Sequence, residues 1–364
     1  MKKKLKDICT GYTKNIAQKE LDNLNGDYEI YGASGLIKKI DYYISEVPYI
    51  GIVKDGSGVG RVNSYPAKSS LIGTMQYIVP NDDVDLQFLM YGLRSLNLAN
   101  LYRGAAIPHI YFKEYKEFEL NVPSKEEQQK IATELDTIQS AIDNKKQQLS
   151  LLDEAVKSEF VEMFGENNSK QIPFSEYAEI IDGDRGKNYP KSEDFSDNGY
   201  CLFLSAKNVT KKGFSFETNQ FISKEKDESL RKGKLNKGDI VITTRGTIGN
   251  IAYFDDTVPF ENIRINSGMV IIRNKKLDFN QRFFLEAFRN KIDEIIATKV
   301  TGAAQPQLPI HIMSKITLPY PDITLQNDFA TFVQQIDTTK TIIKTQLKDL
   351  NELLESKMDF YFME

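Results

Sequence analysis

A stretch of 63 residues occurs twice in this chain. Residues 104–166 return as residues 302–364 without a gap, at a constant offset of 198, and about seventeen of the aligned positions are identical. The identities include the pairs Pro108 and Pro306, Gln128 and Gln326, and Phe164 and Phe362. A duplicated chain of 364 residues favours two globular units over one large core. Each unit is predicted to be a variable front followed by a shared back.

Each shared back ends in a stretch with the spacing of a long amphipathic helix. Ser124 and Glu127 form a capping-box pattern after Pro123, and Asp322 follows Pro321 in the second copy. Apolar residues then recur at steps of three, four and seven, at Ile131, Leu135, Ile138, Ile142, Leu149, Leu152, Val156 and Phe160, and at Phe329, Val333, Ile336, Ile343, Leu347, Leu350, Leu354 and Met358. Each stretch predicts about 36 helical residues, a length of about 54 Å. The narrow stripes favour pairing of the two helices as a coiled coil, and the alternative is that each packs on its own domain.

The variable fronts, residues 1–103 and 167–301, have a different pattern. Short runs of Ile, Val, Tyr and Met lie between turn residues, which predicts mixed α/β domains. The predicted strands are 48–53, 75–79, 239–243 and 268–272, and the predicted helices that follow them are 86–91 and 281–285. The fronts also resemble each other faintly, since residues 53–60 can be laid over residues 242–249.

Charge is distributed unevenly between fronts and backs. The net charge is −4, yet residues 1–103 carry 13 basic against 11 acidic side chains, and residues 167–301 carry 22 against 19. The acid lies in the repeats, with 5 basic against 10 acidic side chains in 124–166 and 5 against 8 in 302–364. Because phosphate binding needs only a local basic face, the fronts are permissive for DNA.

The sequence offers little for catalysis, cofactors or metals. The glycines at 56, 58 and 60 are followed by Arg61, so they match neither a phosphate loop nor a dinucleotide fingerprint and favour a strand–turn–strand. No nucleophile elbow, His-Glu-x-x-His motif or Asn/Asp-Pro-Pro-Tyr/Phe tetrapeptide is found. Two histidines and two cysteines cannot supply a conventional zinc site, and Cys9 and Cys201 fit a reducing cytoplasm. No apolar run is long enough for a membrane helix. We therefore expect a cytoplasmic chain that is not an enzyme by itself and that has no cofactor.

The order of these features resembles the specificity subunit of type I restriction–modification systems. The resemblance is carried by Gly104-Ala105-Ala106-Ile107-Pro108, by Val122-Pro123 before Gln128 and Ile131-Ala132, and by their counterparts Gly302-Ala303-Ala304-Gln305-Pro306, Tyr320-Pro321, Gln326 and Phe329-Ala330. Tyr31-Gly32-Ala33-Ser34-Gly35 and Gly73-Thr74-Met75-Gln76 are similar to segments of the family's target recognition domains.

The resemblance implies an architecture and a division of labour. It implies an α+β fold in which two mixed α/β target recognition domains are separated by two long antiparallel helices, with a pseudo-twofold duplication. The implied boundaries are 1–123 and 167–321 for the recognition domains, and 124–166 and 322–364 for the spacer helices. Each domain would read one half of a bipartite, asymmetric site in double-stranded DNA. The helices would set the gap and dock methyltransferase subunits, and motor–nuclease subunits would join through the complex.

Polar residues beside the glycine turns are the candidates for DNA contact, because Arg, Lys, Asn, Ser and Thr read base edges and bind phosphates. They are Lys54, Ser57, Arg61, Lys68 and Ser69 in the first front, and Arg185, Lys187, Lys207, Asn208, Thr244, Arg245 and Thr247 in the second. Two alternatives remain open. One is a coiled-coil scaffold whose lobes bind proteins, and the other is a methyltransferase or nuclease in its own right.

Overall fold

The computed structural model describes residues 1–56, 58–101, 109–165, 169–275, 279–299 and 307–363. The chain divides into two compact units. Unit 1 comprises Met1–Leu149 with Ile342–Glu364, and unit 2 comprises Ser150–Thr341. The Gly-Ala-Ala-x-Pro segments of both repeats lie outside the described residues, and the sequence-based division at 123, 166 and 321 stays a prediction.

The first half of the chain contains nine strands and four α-helices among its described residues. The strands are β1 Lys2–Lys4, β2 Cys9–Tyr12, β3 Tyr28–Gly32, β4 Gly35–Ile40, β5 Tyr49–Val53, β6 Val62–Tyr65, β7 Ser70–Leu71, β8 Met75–Pro80 and β9 Glu119–Asn121. The helices are α1 Leu5–Ile8, α2 Leu86–Ser95, α3 Phe112–Tyr115 and α4 Lys125–Phe164.

The second half follows the same order with two additional short strands and one additional helix. Its strands are β10 Gln171–Pro173, β11 Ala178–Asp182, β12 Cys201–Leu204, β13 Val209–Thr210, β14 Gly213–Phe214, β15 Phe221–Ile222, β16 Ile240–Thr243, β17 Ile251–Tyr253, β18 Ile263–Ile265, β19 Met269–Asn274 and β20 Thr317–Pro319. Its helices are α5 Phe174–Tyr177, α6 Lys224–Ser229, α7 Gln281–Lys299, α8 Ile310–Met313 and α9 Ile323–Phe362.

The two units share one sheet topology. A four-stranded antiparallel sheet has the order β2-β8-β5-β6 in unit 1 and β11-β19-β16-β17 in unit 2. A three-stranded sheet has the order β4-β3-β7 or β15-β12-β18, with one parallel pair in each. The strand β1 pairs with β9, and β10 pairs with β20, so the start of each front is joined to its repeat. The predicted mixed α/β fronts and their duplication are confirmed.

The repeat is also exact in its helices. The bounds of α3, β9 and α4 become those of α8, β20 and α9 when 198 is added. Both long helices have 40 residues, somewhat longer than predicted, because neither contains the Gly or Pro that would end it. At the start of α4 the Ser124 hydroxyl accepts from Glu127 N at 3.4 Å, and at α9 the Asp322 carboxylate accepts from Thr324 N at 2.8 Å.

The apolar stripes of the long helices pack against each other and also against the core of each unit, so both predicted arrangements occur. In unit 2 the helices run antiparallel, since Lys340 Nζ meets Asp153 Oδ1 at 2.6 Å while the ring centroids of Phe160 and Phe329 are 5.6 Å apart. In unit 1 Tyr361 Oη donates to Glu134 Oε2 at 2.6 Å. Residues of the same stripes also belong to the hydrophobic core of each unit. In unit 1 this core includes Phe88, Leu120, Ile131, Leu135, Ile142, Leu354 and Phe362. A stripe about 100° wide is broad enough to contact a helix and a lobe at once.

The glycine turn of unit 1 is the predicted strand–turn–strand. It joins β5 to β6, with Gly56 and Gly60 at φ of +91° and +84°, where a side chain would be strained. The turn after β16 ends on Gly249, at φ +79°. The predicted superposition of 53–60 on 242–249 is correct at the glycine end and wrong by one residue at the strand end. Gly60 N donates to Val53 O, whereas Gly249 N donates to Thr243 O, so the first turn is one residue longer.

None of the helices in the described part of the chain is long and apolar enough to cross a membrane.

Candidate nucleic-acid interface

In unit 2 the turn after β16 is fixed to the turn that precedes β19. The backbone N–H and the hydroxyl of Thr244 both donate to Gly268 O, at 2.8 and 3.0 Å. Thr244 is buried, so its side chain supports the turn. Arg245 and Thr247 follow at the tip of the turn and are exposed. These two side chains are therefore available to a partner.

Arg185 comes to the same place from the loop after β11. Its Nη2 lies 3.1 Å from Asp182 Oδ1 and 3.3 Å from Ser267 O, beside the Gly268 that holds Thr244. Arg185 and Lys187 are both exposed. The structure thus places two of the predicted loops, those of Arg185 and Arg245, against one turn at residues 266–268.

Lys207 and Asn208 are neighbours with different environments. Lys207 is exposed, whereas Asn208 is 1% exposed and its amide is fully used. Its Oδ1 accepts from Ser205 N at 2.8 Å, and its Nδ2 donates to Ser215 O and Thr218 O at 3.0 and 2.7 Å. The segment is tied to the turn after β16 because Asn250 Nδ2 donates to Val209 O at 2.9 Å.

In unit 1 Arg61 and Lys54 lie at opposite ends of the turn between β5 and β6. Arg61 is exposed, and its Nη1 donates to Ala33 O at 2.8 Å. Lys54 is buried and its Nζ lies 2.8 Å from Asp55 Oδ2, while His109 Nδ1 lies 2.6 Å from Asp55 Oδ1. Burial pushes the pKa of Asp55 up, but hydrogen bonds from His109 and Lys54 hold that pKa below its ordinary value. Lys54 is therefore part of an ion-pair cluster that shapes the turn.

Lys68 and Ser69 lie elsewhere in unit 1. They follow β6 and precede β7, at the end of the β5–β6 pair opposite to the turn that carries Arg61. Lys68 is exposed with φ of +54°, and Ser69 is buried. The Ser69 hydroxyl lies 2.8 Å from Tyr49 Oη and donates to Pro66 O at 2.7 Å. Ser57 lies outside the described residues.

Sequence reasoning missed two exposed basic pairs in unit 2. They are Lys211 with Lys212, in the turn from β13 to β14, and Arg231 with Lys232, after α6. Each pair is followed by a glycine with positive φ, Gly213 at +104° and Gly233 at +87°. A basic dipeptide directly before a glycine was the available signal, because a left-handed glycine ends a turn and leaves the preceding side chains at the surface.

The two thiols are not placed for chemistry. Cys9 and Cys201 are free and buried. Burial raises the pKa of each to about 12, so neither forms a thiolate at neutral pH. Within the described ranges no group of three His, Cys, Asp or Glu side chains could hold a metal ion.

Comparisons with known proteins agree on one family. The family described as "Type I restriction modification DNA specificity domain" matches residues 1–154 and again residues 170–352. Two relatives from Methanocaldococcus jannaschii are the MjaIX specificity subunit and the MjaVIII specificity subunit of type I restriction enzymes. The first is 25% identical over 309 residues, 78% of this chain and 70% of the relative. The second is 26% identical over 337 residues, 84% of this chain and 77% of the relative.

Solved structures share the fold. The S subunit of a type I restriction–modification system from M. genitalium has a TM-score of 0.53 at 19% identity, over 100% of this chain and 96% of that one. A chain from a structure on complex assembly and conformational transition of a type I system has a TM-score of 0.58 at 13% identity, over 99% and 96%. The class of fold is a duplicated α+β unit in which each copy ends in a long helix. This chain belongs to the type I restriction–modification DNA specificity family.

Proposed function

We propose that each unit reads one half of a bipartite site in double-stranded DNA. The observation that carries this is the contrast between the units: one sheet topology is kept in both, while the loops attached to it differ in length and charge. A kept scaffold with varied loops is the arrangement in which binding specificity changes without loss of fold. In unit 2 the contacting set is Arg185, Lys187, Lys207, Arg245 and Thr247, and in unit 1 it centres on Arg61.

The remaining sequence candidates have supporting roles in this proposal. Lys54, Asn208, Thr244 and Ser69 are buried, and their polar atoms have partners within the protein. Lys68 is exposed but lies away from Arg61, so it would contact the phosphate backbone of DNA only at a second place. Ser57 keeps its predicted role as a contact in the turn before Arg61.

The chain would act as the non-catalytic subunit of a cytoplasmic complex. Methyltransferase subunits would dock on the long helices, where several large apolar side chains are exposed: Leu151, Val161, Ile342, Leu353 and Phe360. Motor–nuclease subunits would join through that complex. The length of the helices would fix the gap between the half-sites. Removing seven residues from each would shorten the gap by about 10 Å, or about three base pairs at 3.4 Å per pair.

The decisive experiment exchanges residues 174–301 for the corresponding segment of a relative with a different target. These bounds leave the β10–β20 pair intact, and the long helices with it. Methylation mapping in cells that express the complex should show one half of the methylated site changed and the other half retained. A change in both halves would contradict the proposal that each unit reads one half of the site.

The alternative functions have their own measurements. A protein-binding scaffold would add no sequence-specific, salt-dependent DNA binding when mixed with the methyltransferase subunits in a gel-shift assay. A chain with its own methyltransferase or nuclease activity would modify DNA when it is assayed alone.

A further inference from the structure

A buried carboxylate in unit 2 joins two loops that are far apart in sequence. Asp184 is 6% exposed. Its Oδ1 accepts from Gly186 N at 2.7 Å, and its Oδ2 accepts from Arg231 N at 2.7 Å. The hydrogen bond from Gly186 has the largest effect on the pKa of Asp184, and together with the bond from Arg231 it holds that pKa below its ordinary value, against the burial that raises it. The carboxylate is therefore ionised at neutral pH, and each of its oxygens accepts a hydrogen bond from one of the two loops.

Further contacts hold the same two loops together. Asn188 Nδ2 donates to Ser229 O at 3.0 Å. Gly183 and Gly233 approach so closely that a Cβ on Gly233 would lie 3.3 Å from the Cα of Gly183. From the interior, Arg264 Nη1 donates to Lys232 O at 2.7 Å. The loops at 183–188 and 229–233 are thus held together by hydrogen bonds and close packing, and we call this contact the junction.

The junction presents cations outward. Arg185, Lys187, Arg231 and Lys232 are all exposed, and the Arg231 side chain is 79% exposed. The Arg231 guanidinium lies over Gly186, where a Cβ would be 2.8 Å from its Nη2. Arg185 precedes Gly186 in the chain, and the Arg231 guanidinium lies beside Gly186 in space. Arginines fixed on a framework suit phosphate oxygens, because the planar guanidinium offers two parallel donors.

We propose that Asp184 is a positioning residue that holds Arg231 and Lys232 beside Arg185 and Lys187 as one phosphate-contacting cluster of unit 2. The cluster would bind phosphates of the DNA backbone next to the half-site that unit 2 reads. This inference rests on the proposed function. Phosphate contacts set the orientation of a recognition domain on the duplex, so the cluster would align Arg245 and Thr247 with the base edges.

The sign of the effect separates positioning from simple electrostatics. Removing a negative charge near DNA should strengthen binding, because it removes repulsion of the phosphates. Asp184→Asn instead puts an amide N–H₂ against one of the two backbone N–H groups that the carboxylate satisfies. Two donors then face each other, the loops separate, and DNA binding weakens. Asp256→Asn is the matched control, since the Asp256 side chain is fully exposed and its ion pair is with the exposed Lys237, at 3.8 Å.

The experiment measures how DNA affinity depends on salt. The full chain with its methyltransferase subunits is titrated with a duplex that carries the site found by methylation mapping, at a series of salt concentrations. Each phosphate contact contributes about 0.9 to the slope of log K against log salt. Arg231→Gln should lower the slope by about 0.9, Asp184→Asn should lower it by at least as much, and the double variant should lower it no further than Asp184→Asn. Asp256→Asn should keep the wild-type slope.

Each outcome has one meaning. A wild-type slope in Asp184→Asn or in Arg231→Gln overturns the inference, as does tighter binding by Asp184→Asn. If Asp184→Asn fails to fold, Lys232→Gln tests the same cluster, because it removes an exposed cation that the junction presents; an unchanged slope there also overturns the inference. Absence of sequence-specific, salt-dependent binding by the wild-type complex would instead remove the proposed function.

Discussion

The side-chain Oε1 of Gln128 accepts a hydrogen bond from the backbone N–H of Asp85 at 2.8 Å. Asp85 is the N-cap of α2, so the contact joins the start of the long helix α4 to the start of a helix in the lobe. In unit 2 Gln326 Oε1 accepts from Asn280 N at 2.9 Å, and Asn280 caps α7. Each glutamine also donates to the carbonyl of the proline five residues before it, at 3.0 Å. One repeated residue therefore fixes the same junction in both units.

The first prediction concerns this glutamine. Gln128→Ala should lower the free energy of unfolding of unit 1 by about 1–3 kcal/mol, because it leaves Asp85 N and Pro123 O without their buried partner. Cys9 and Cys201 lie one in each unit and both are buried, so alkylation of Cys9 during urea unfolding reports on unit 1. Gln129→Ala is the control, since its side chain is exposed. Equal destabilisation by the two variants would show that the hydrogen bonds contribute nothing.

The second prediction concerns the end of the chain. Phe362 is 1% exposed, and its ring centroid lies 4.9 Å from that of Phe88 in the core of unit 1. Phe362→Ala should lower the free energy of unfolding of unit 1 by about 3–5 kcal/mol, the range for removing a buried aromatic side chain. Phe360 is 58% exposed, so Phe360→Ala should change stability little. Urea unfolding followed by Cys9 alkylation measures both variants, and unfolding of unit 1 unchanged by Phe362→Ala would contradict the packing.

The long helices and the fronts could be predicted because their signals are periodic. The stripe from Ile131 to Phe160 repeats at helical spacing, and no Gly or Pro interrupts it. The central strands β5 and β16 are runs of apolar residues between turn residues, which burial on both faces requires. Such signals depend on residue type and order alone, so the sequence is sufficient for them.

The contact residues could not be predicted to the same degree. Lys54, Asn208 and Thr244 are polar residues in turns, which is also the composition of a binding loop. Their side chains instead satisfy buried groups of the turns themselves, and only the folded geometry distinguishes the two uses. Arg231 was missed for the opposite reason, because its closeness to Gly186 depends on a contact between distant segments. The one-residue error in the turn before Gly60 has the same origin, since turn length follows from hydrogen bonding rather than from the pattern.

The third prediction concerns pH. Asp227 is 1% exposed and pairs with Arg264 and Lys234. Burial raises the pKa of Asp227, but the hydrogen bonds from Lys234 and Arg264 outweigh it and hold that pKa below the ordinary value of 3.8. A carboxyl whose pKa is lower in the folded state adds stability above its unfolded pKa, and this stability is lost as pH falls through the folded pKa.

Asp227→Asn should therefore destabilise unit 2 most at neutral pH. The expected cost is about 3–5 kcal/mol, because the variant leaves the buried Arg264 without its counter-charge. The difference from the wild type should shrink below about pH 4, where the Asp227 carboxyl of the unfolded wild-type chain gains its proton while that of the folded chain stays ionised to lower pH. Urea unfolding followed by circular dichroism at several pH values measures this, with the exposed Asp256→Asn as the control. A difference that stays constant from pH 7 to about pH 2 would contradict the ion-pair account.

The fourth prediction separates two neighbours in the candidate interface. Lys207→Gln should leave the stability of unit 2 unchanged, since the side chain is exposed, and should lower the slope of log K against log salt for DNA binding by about 0.9. Asn208→Ala should lower the stability of unit 2 by about 1–3 kcal/mol, because Ser205 N, Ser215 O and Thr218 O lose their buried partner. Urea unfolding followed by Cys201 alkylation gives the stabilities, and salt titration of the complex with its methyltransferase subunits gives the slopes.

If Lys207→Gln kept the wild-type slope, the segment that precedes β13 would not belong to the phosphate-contacting surface. If Asn208→Ala were as stable as the wild type, the amide would be free to read a base, which its four hydrogen bonds argue against.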